Sequence, residues 1–140
     1  MTVVVLEQND IYVTGGDITL TVIPASDGSP TSVSNSGCDL YWITNSNRPK
    51  KITVQTNLAS PRYRLTVEGQ NVEELAADPK SGKAGTPAGV VVLAGLTPRL
   101  FIDQIKRVFA RCDLFYTATA STADLPGSET HTVTYTLLDR

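Results

Sequence analysis

Apolar and polar residues alternate along most of this chain with a period of two rather than 3.6, the pattern of strands with one buried face. "DITLTVIP" sets Ile18, Leu20 and Val22 against Thr19, Thr21 and Ile23. "GCDLYWIT" sets Cys38, Leu40 and Trp42 against Asp39, Tyr41 and Ile43. The same alternation runs through "KKITVQT", "RYRLTVEG", "RCDLFYTATAS" and "THTVTYTLL". Thr, Val, Ile and Tyr fill these stretches, and their branched or aromatic side chains suit a pleated, half-buried surface.

Turn-forming residues fall between the stretches. "TGGD" (Thr14–Asp17) separates the first two. "PASDGSPTSVSNSG" (Pro24–Gly37) reads as a long polar loop. "NSNRPK" (Asn45–Lys50) and "TADLPGSE" (Thr122–Glu129) read as hairpin connections, and "ADPKSGKAGTPAG" (Ala77–Gly89) as the most mobile link. "NVEELAAD" holds helix formers and predicts a helical turn. "TPRLFIDQIKRVFAR" is ambiguous: Thr97–Pro98 resembles a helix start, whereas Leu100 and Ile102 fit a short strand followed by a connection. The all-β context favours the strand.

The expected fold is an all-β, immunoglobulin-like antiparallel β-sandwich of eight or nine strands, a single domain over residues 1–140. The predicted core is Leu40, Trp42, Leu65, Leu114, Tyr116, Val133, Tyr135 and Leu137.

Composition narrows the function. The chain has 140 residues, a formal net charge of −2 and scattered basic side chains. It lacks the basic stripe of a nucleic-acid binder, so no nucleic-acid partner is expected. No apolar run is long enough to span a membrane as a helix. The opening residues lack the features of a secretory signal. Either the protein stays in a cell or virion, or a leader has been removed ahead of Met1.

No catalytic motif is visible, and no enzyme activity, cofactor or metal is expected. The only histidine, His131, sits in the Thr-rich last stretch with neither co-ligands nor a nucleophile nearby in sequence. It reads as a strand residue close to a turn. Cys38 and Cys112, each on the apolar face of its strand, are a disulfide candidate joining the two sheets or neighbouring strands. The bond would close a loop of about 74 residues, roughly 4 kcal/mol in the chain-entropy model. The rival reading is two buried free thiols. Tyr41 and Phe115 fall on faces opposite the core and could form a small contact patch.

"TVVVLEQ" at the start of the chain is a run of strand formers. An apolar terminal strand must pair or become an aggregation hazard. It can pair within its own sheet. Alternatively Val3, Val4, Val5 and Leu6 can form an assembly strand that enters a neighbouring subunit, which makes self-association the expected partnership.

"DLYWITNSNRPKKITVQT" and "CDLFYTATASTADLPGSETHTVTYTLLD", about a third of the chain, resemble small bacterial exported sandwich proteins of immunoglobulin-like type. Similar Thr-rich sandwiches occur in pilin and surface-appendage subunits. The resemblance implies a non-enzymatic structural or assembly subunit of an extracellular filament or surface appendage, located outside the cell or on its surface. A carbohydrate- or protein-binding module and a virion tail or decoration component are the alternatives. Trp42 follows Cys38 by only four residues, a spacing unlike that of immunoglobulin domains proper.

Overall fold

The computed structural model describes residues 1–140. It is all-β, with nine strands: β1 (Asn9–Thr14), β2 (Thr31–Thr44), β3 (Lys50–Thr56), β4 (Arg64–Ala77), β5 (Thr86–Pro87), β6 (Val91–Val92), β7 (Arg99–Ile105), β8 (Val108–Ala120) and β9 (Val133–Asp139). They form two antiparallel sheets. A five-stranded sheet has the order β1-β2-β8-β4-β6, and a four-stranded sheet the order β5-β7-β3-β9.

The alternation explains how the sheets face each other. Cys38, Leu40 and Trp42 from β2 and Ala110, Cys112, Leu114 and Tyr116 from β8 turn inward. They meet Ile52 and Val54 from β3 and Phe101, Ile102 and Ile105 from β7. Tyr116 and Tyr135 join the two layers, hydroxyl to hydroxyl, at 2.6 Å. Gly69 in β4 leaves room for Phe101, whose ring tip would lie 3.2 Å from a side-chain carbon placed there.

Several elements differ from the sequence reading. β2 belongs to one sheet and β3 to the other, so Asn45–Lys50 is a crossing between layers, not a hairpin. The same holds for the link from β8 to β9. Thr134 and Thr136 of β9 therefore lie in the other sheet from Thr117 and Thr119 of β8. Those two hydroxyls pair with Ser34 and Ser32 of β2, at 2.9 and 2.8 Å.

Thr31–Gly37 is not loop but the first half of β2. Asn71–Ala77 is not helical but the second half of β4, where pairing along β8 overrides the local preference of Glu, Leu and Ala. In the ambiguous stretch, β7 reaches Ile105 and β8 starts at Val108, so only Lys106 and Arg107 connect them.

Asp17–Pro24 keeps the predicted alternation, with Ile18 and Leu20 packed on the core, but joins no ladder. Its departure from β1 is set at Gly15. That residue has a φ of 106°, and a side-chain carbon there would stand 2.4 Å from the Gly37 carbonyl oxygen. Only glycine fits such a contact at that φ.

Of the predicted core, Leu40, Trp42, Leu114 and Tyr116 are buried, while Leu65, Val133, Tyr135 and Leu137 are half-buried against it.

Candidate functional site

The N-terminal stretch lies outside both sheets. Residues 1–8 form no strand, and Val3, Val4, Val5 and Leu6 are 72–81% exposed. Pairing within its own sheet is thus not what the chain does. The first strand instead starts at Asn9.

The base of the stretch is held by one side chain. Asn45, just past the end of β2, accepts the Gln8 amide on its Oδ1 at 2.7 Å. It donates from Nδ2 to the Leu6 carbonyl at 2.9 Å. Its own main-chain amide donates to the Gln8 carbonyl at 3.2 Å, one step beyond the β1–β2 ladder. Lys50 adds a contact to Glu7 at 4.0 Å and a tighter one to Asp139 at 2.6 Å. The amides and the ammonium fix residues 6–8 at the end of the sandwich where β2 finishes and β3 begins. Residues 2–5 continue outward from there.

The sheet edges are unequal. β5 and β6 have two residues each, and β5 carries Pro87. β9 is seven residues long, "VTYTLLD", and pairs only with β3. Its inward row, Val133, Tyr135 and Leu137, is only half-buried.

Cys38 and Cys112 are not bonded; both are free and buried. Both lie on neighbouring strands of the same sheet, so a bond between sheets is ruled out by topology. Cys38 stands opposite Leu114 and Cys112 opposite Leu40, which makes the cysteines diagonal neighbours. That diagonal is about 7–8 Å between Cα atoms, longer than a relaxed disulfide spans. Burial pushes the Cys112 thiol up to about 12 and raises that of Cys38 as well.

Tyr41 and Phe115 both point outward from the five-stranded sheet but do not form one patch. Tyr41 stands opposite Arg111, and Phe115 lies four residues farther along β8, about 13 Å at strand rise. Tyr41 instead stacks on Tyr12 of β1, with ring centroids 5.0 Å apart and planes within 6°. Phe109 lies on its other side at 6.2 Å. Between Tyr41 and Phe115 sits an ionic cluster. Arg111 contacts Asp113 at 2.7 Å, Asp39 at 3.0 Å and Glu73 at 3.2 Å. Asn71 donates to Asp113 at 2.7 Å, and with Arg111 it holds that carboxyl below its ordinary range. The cluster satisfies itself. Sequence spacing gave no sign of it, because its members come from three strands.

His131 lies in a hydroxyl–imidazole–carboxylate row. Thr56 Oγ1 is 2.7 Å from Nδ1, and Glu129 Oε1 is 3.1 Å from Nε2. The row has the order of a nucleophile relay, but Thr56 is 1% exposed, so no substrate can reach its hydroxyl. Glu129 also accepts the amides of Arg62 and Tyr63. Burial works to raise its pKa; these amides and His131 outweigh that and leave it lowered. The row ties the approach to β9 onto the end of β3 and the start of β4.

The fold and this geometry define a two-layer β-sandwich with an apolar, unpaired terminal segment and two longer open edges, β1 and β9, of six and seven residues. No protein-family model, curated protein or solved structure matches the chain.

Proposed function

We propose that this chain is a non-enzymatic structural subunit that assembles by β-strand complementation, as a component of a bacterial extracellular filament or surface appendage. One observation carries the reading: four consecutive apolar residues, Val3–Leu6, stand exposed outside any ladder while Asn45 clamps the main chain at Leu6 and Gln8. Burying a Val or Leu side chain contributes about 1.5–3 kcal/mol, and ordering each residue costs about 1–2 kcal/mol. The segment is therefore stable only where main-chain pairing and burial of the side chains come together, as in another chain's sheet. Its assignment to the outside of the cell rests on the sequence resemblance; a virion component built by the same exchange is the alternative.

Deleting residues 1–8 tests the reading. Light scattering on the full chain at high concentration should show assemblies, and the shortened chain should be folded and monomeric, its melting temperature lowered only by the loss of the Asn45 and Lys50 contacts. A full chain that stays monomeric throughout would sink it.

A binding module is the second reading. It rests on the Tyr12–Tyr41 stack, where Tyr12 on the edge strand is 44% exposed. Aromatic rings on a sheet face suit the apolar face of a sugar. A glycan array on the full chain, with Tyr12→Ala as control, decides it.

A further inference from the structure

We infer that the acceptor for the N-terminal segment is the open edge of β9 in a second copy of this chain, and that the contact is head-to-tail. The inference rests on the strand-complementation reading above and adds the partner surface.

Four strands end the two sheets: β1 and β6 in one, β5 and β9 in the other. Proteins blunt such edges with short strands, proline, inward charges or a covering segment. β5 and β6 are blunted by their length of two residues, and β5 also by Pro87. β1 runs directly into Gly15 and Gly16, whose positive φ values break the extended line. β9 is not short, and its one charge, Asp139, sits at its last position against Lys50. Its seven residues contain no proline, glycine or lysine, and its second edge has no ladder.

Length and side-chain pattern agree. Thr2–Leu6 in extended form spans about 17 Å, and β9 about 23 Å. The donor thus fits along β9 without overhang. Its alternation places Val3 and Val5 on one face and Val4 and Leu6 on the other. One row would extend the half-buried line of Val133, Tyr135 and Leu137. The other would lie on the outer face beside Leu138, which is 37% exposed.

The direction of the donor favours a second copy. Asn45 prolongs the β1–β2 ladder past the end of β2, so the segment leaves along the line of β1. With Leu6 and Gln8 held on that line by Asn45, only residues 1–5 are left to turn back onto the chain's own β9, too few to form both the turn and a strand along it. A donor at one end of the sandwich and an acceptor along another surface make a heterologous contact. Such contacts propagate into rings or open filaments instead of closing as symmetric dimers.

The test is disulfide trapping between full-length chains. Val4→Cys in the donor is combined with Thr136→Cys, an exposed outer-row position of β9. Val4→Cys with Tyr12→Cys probes β1, and with Thr19→Cys probes the unpaired stretch after it. Cys38 and Cys112 are buried and stay out of the reaction. The expected result is a reducible ladder of dimers, trimers and longer species for the Thr136 pairing, with a linked peptide joining positions 4 and 136, and less than a tenth of that yield for the others. Thr134→Cys, also exposed on β9, provides a second variant should the first misfold. Trapping at Tyr12 or Thr19 instead, with assembly still lost on deleting residues 1–8, overturns β9 as acceptor while leaving complementation intact. Products that stop at the dimer overturn the head-to-tail geometry. A full chain that never assembles and never traps overturns the acceptor and the complementation reading together.

Discussion

The hydroxyls of Tyr116 and Tyr135 lie 2.6 Å apart in the interior, one supplied by each sheet. This is a polar joint between layers otherwise held by apolar packing. Each hydroxyl is the other's partner, and Tyr135 also sits 5.3 Å from the Phe101 ring. Removing one hydroxyl leaves the other buried and unpaired. Tyr135→Phe and Tyr116→Phe should each cost about 1–2 kcal/mol. The double variant should cost clearly less than the sum. Urea unfolding of the four proteins gives this cycle; additive losses would mean that the hydroxyls do not act as a pair.

Alkaline pH should weaken the fold. Burial pushes the Cys112 thiol and the Tyr116 phenol up to about 12, against ordinary values of 9.0 and 10.0. Burial raises Tyr135 too. Both folded-state values are raised, so the unfolded chain releases these protons at lower pH. The stability they provide is complete below about pH 9 and disappears as pH rises toward 12. The urea midpoint should fall through that window. Cys112→Ala, compared with its own value at pH 8, should lose the earliest part of the fall.

Both cysteines should be silent in the native state. Cys38 and Cys112 are free, buried, and less acidic than an ordinary thiol. A thiol reagent at pH 8 should label neither until denaturant is added, and then label both. An intact mass lighter than the reduced chain by two hydrogen atoms would instead reveal a disulfide.

Trp42 should hold the loop between β4 and β5. Its indole N–H donates to the Ala84 carbonyl at 3.0 Å, and the side chain is fully buried. Trp42→Phe removes that bond and part of the packed volume, at about 2–3 kcal/mol. Limited proteolysis should then cut within Ala77–Gly89 earlier than in the wild type.

The period-two alternation made the layers legible in the sequence. Leu40, Trp42, Leu114 and Tyr116 face inward as their positions predict, and even the unpaired Asp17–Pro24 packs Ile18 and Leu20, half-buried, against the core. Alternation reports which face of a strand is buried, not which strand lies beside it. Turn residues at Asn45–Lys50 therefore looked like a hairpin although they carry the chain between sheets. Phe101, Ile102 and Ile105 are absent from the predicted core because helical and strand spacing both fit their stretch; in the fold β7 is irregular, with Gln104 at a φ of 60°. The N-terminal segment was legible as a strand former. The Asn45 clamp and the open edge of β9 were not, since each depends on which elements the fold brings together.

The crossings between layers also set an order of events during synthesis. β2 has its long partner in β8, and so does β4. Thr44 must wait for Val108 to be made, several seconds at about 5–20 residues per second. Through that interval β2, one of the two longest strands of the larger sheet, has only the short β1 beside it. The last strand, β9, then completes the smaller sheet after everything else is in place. Nascent chains are thus most vulnerable to mispairing late in translation, and a helper that shields strand edges would matter most then.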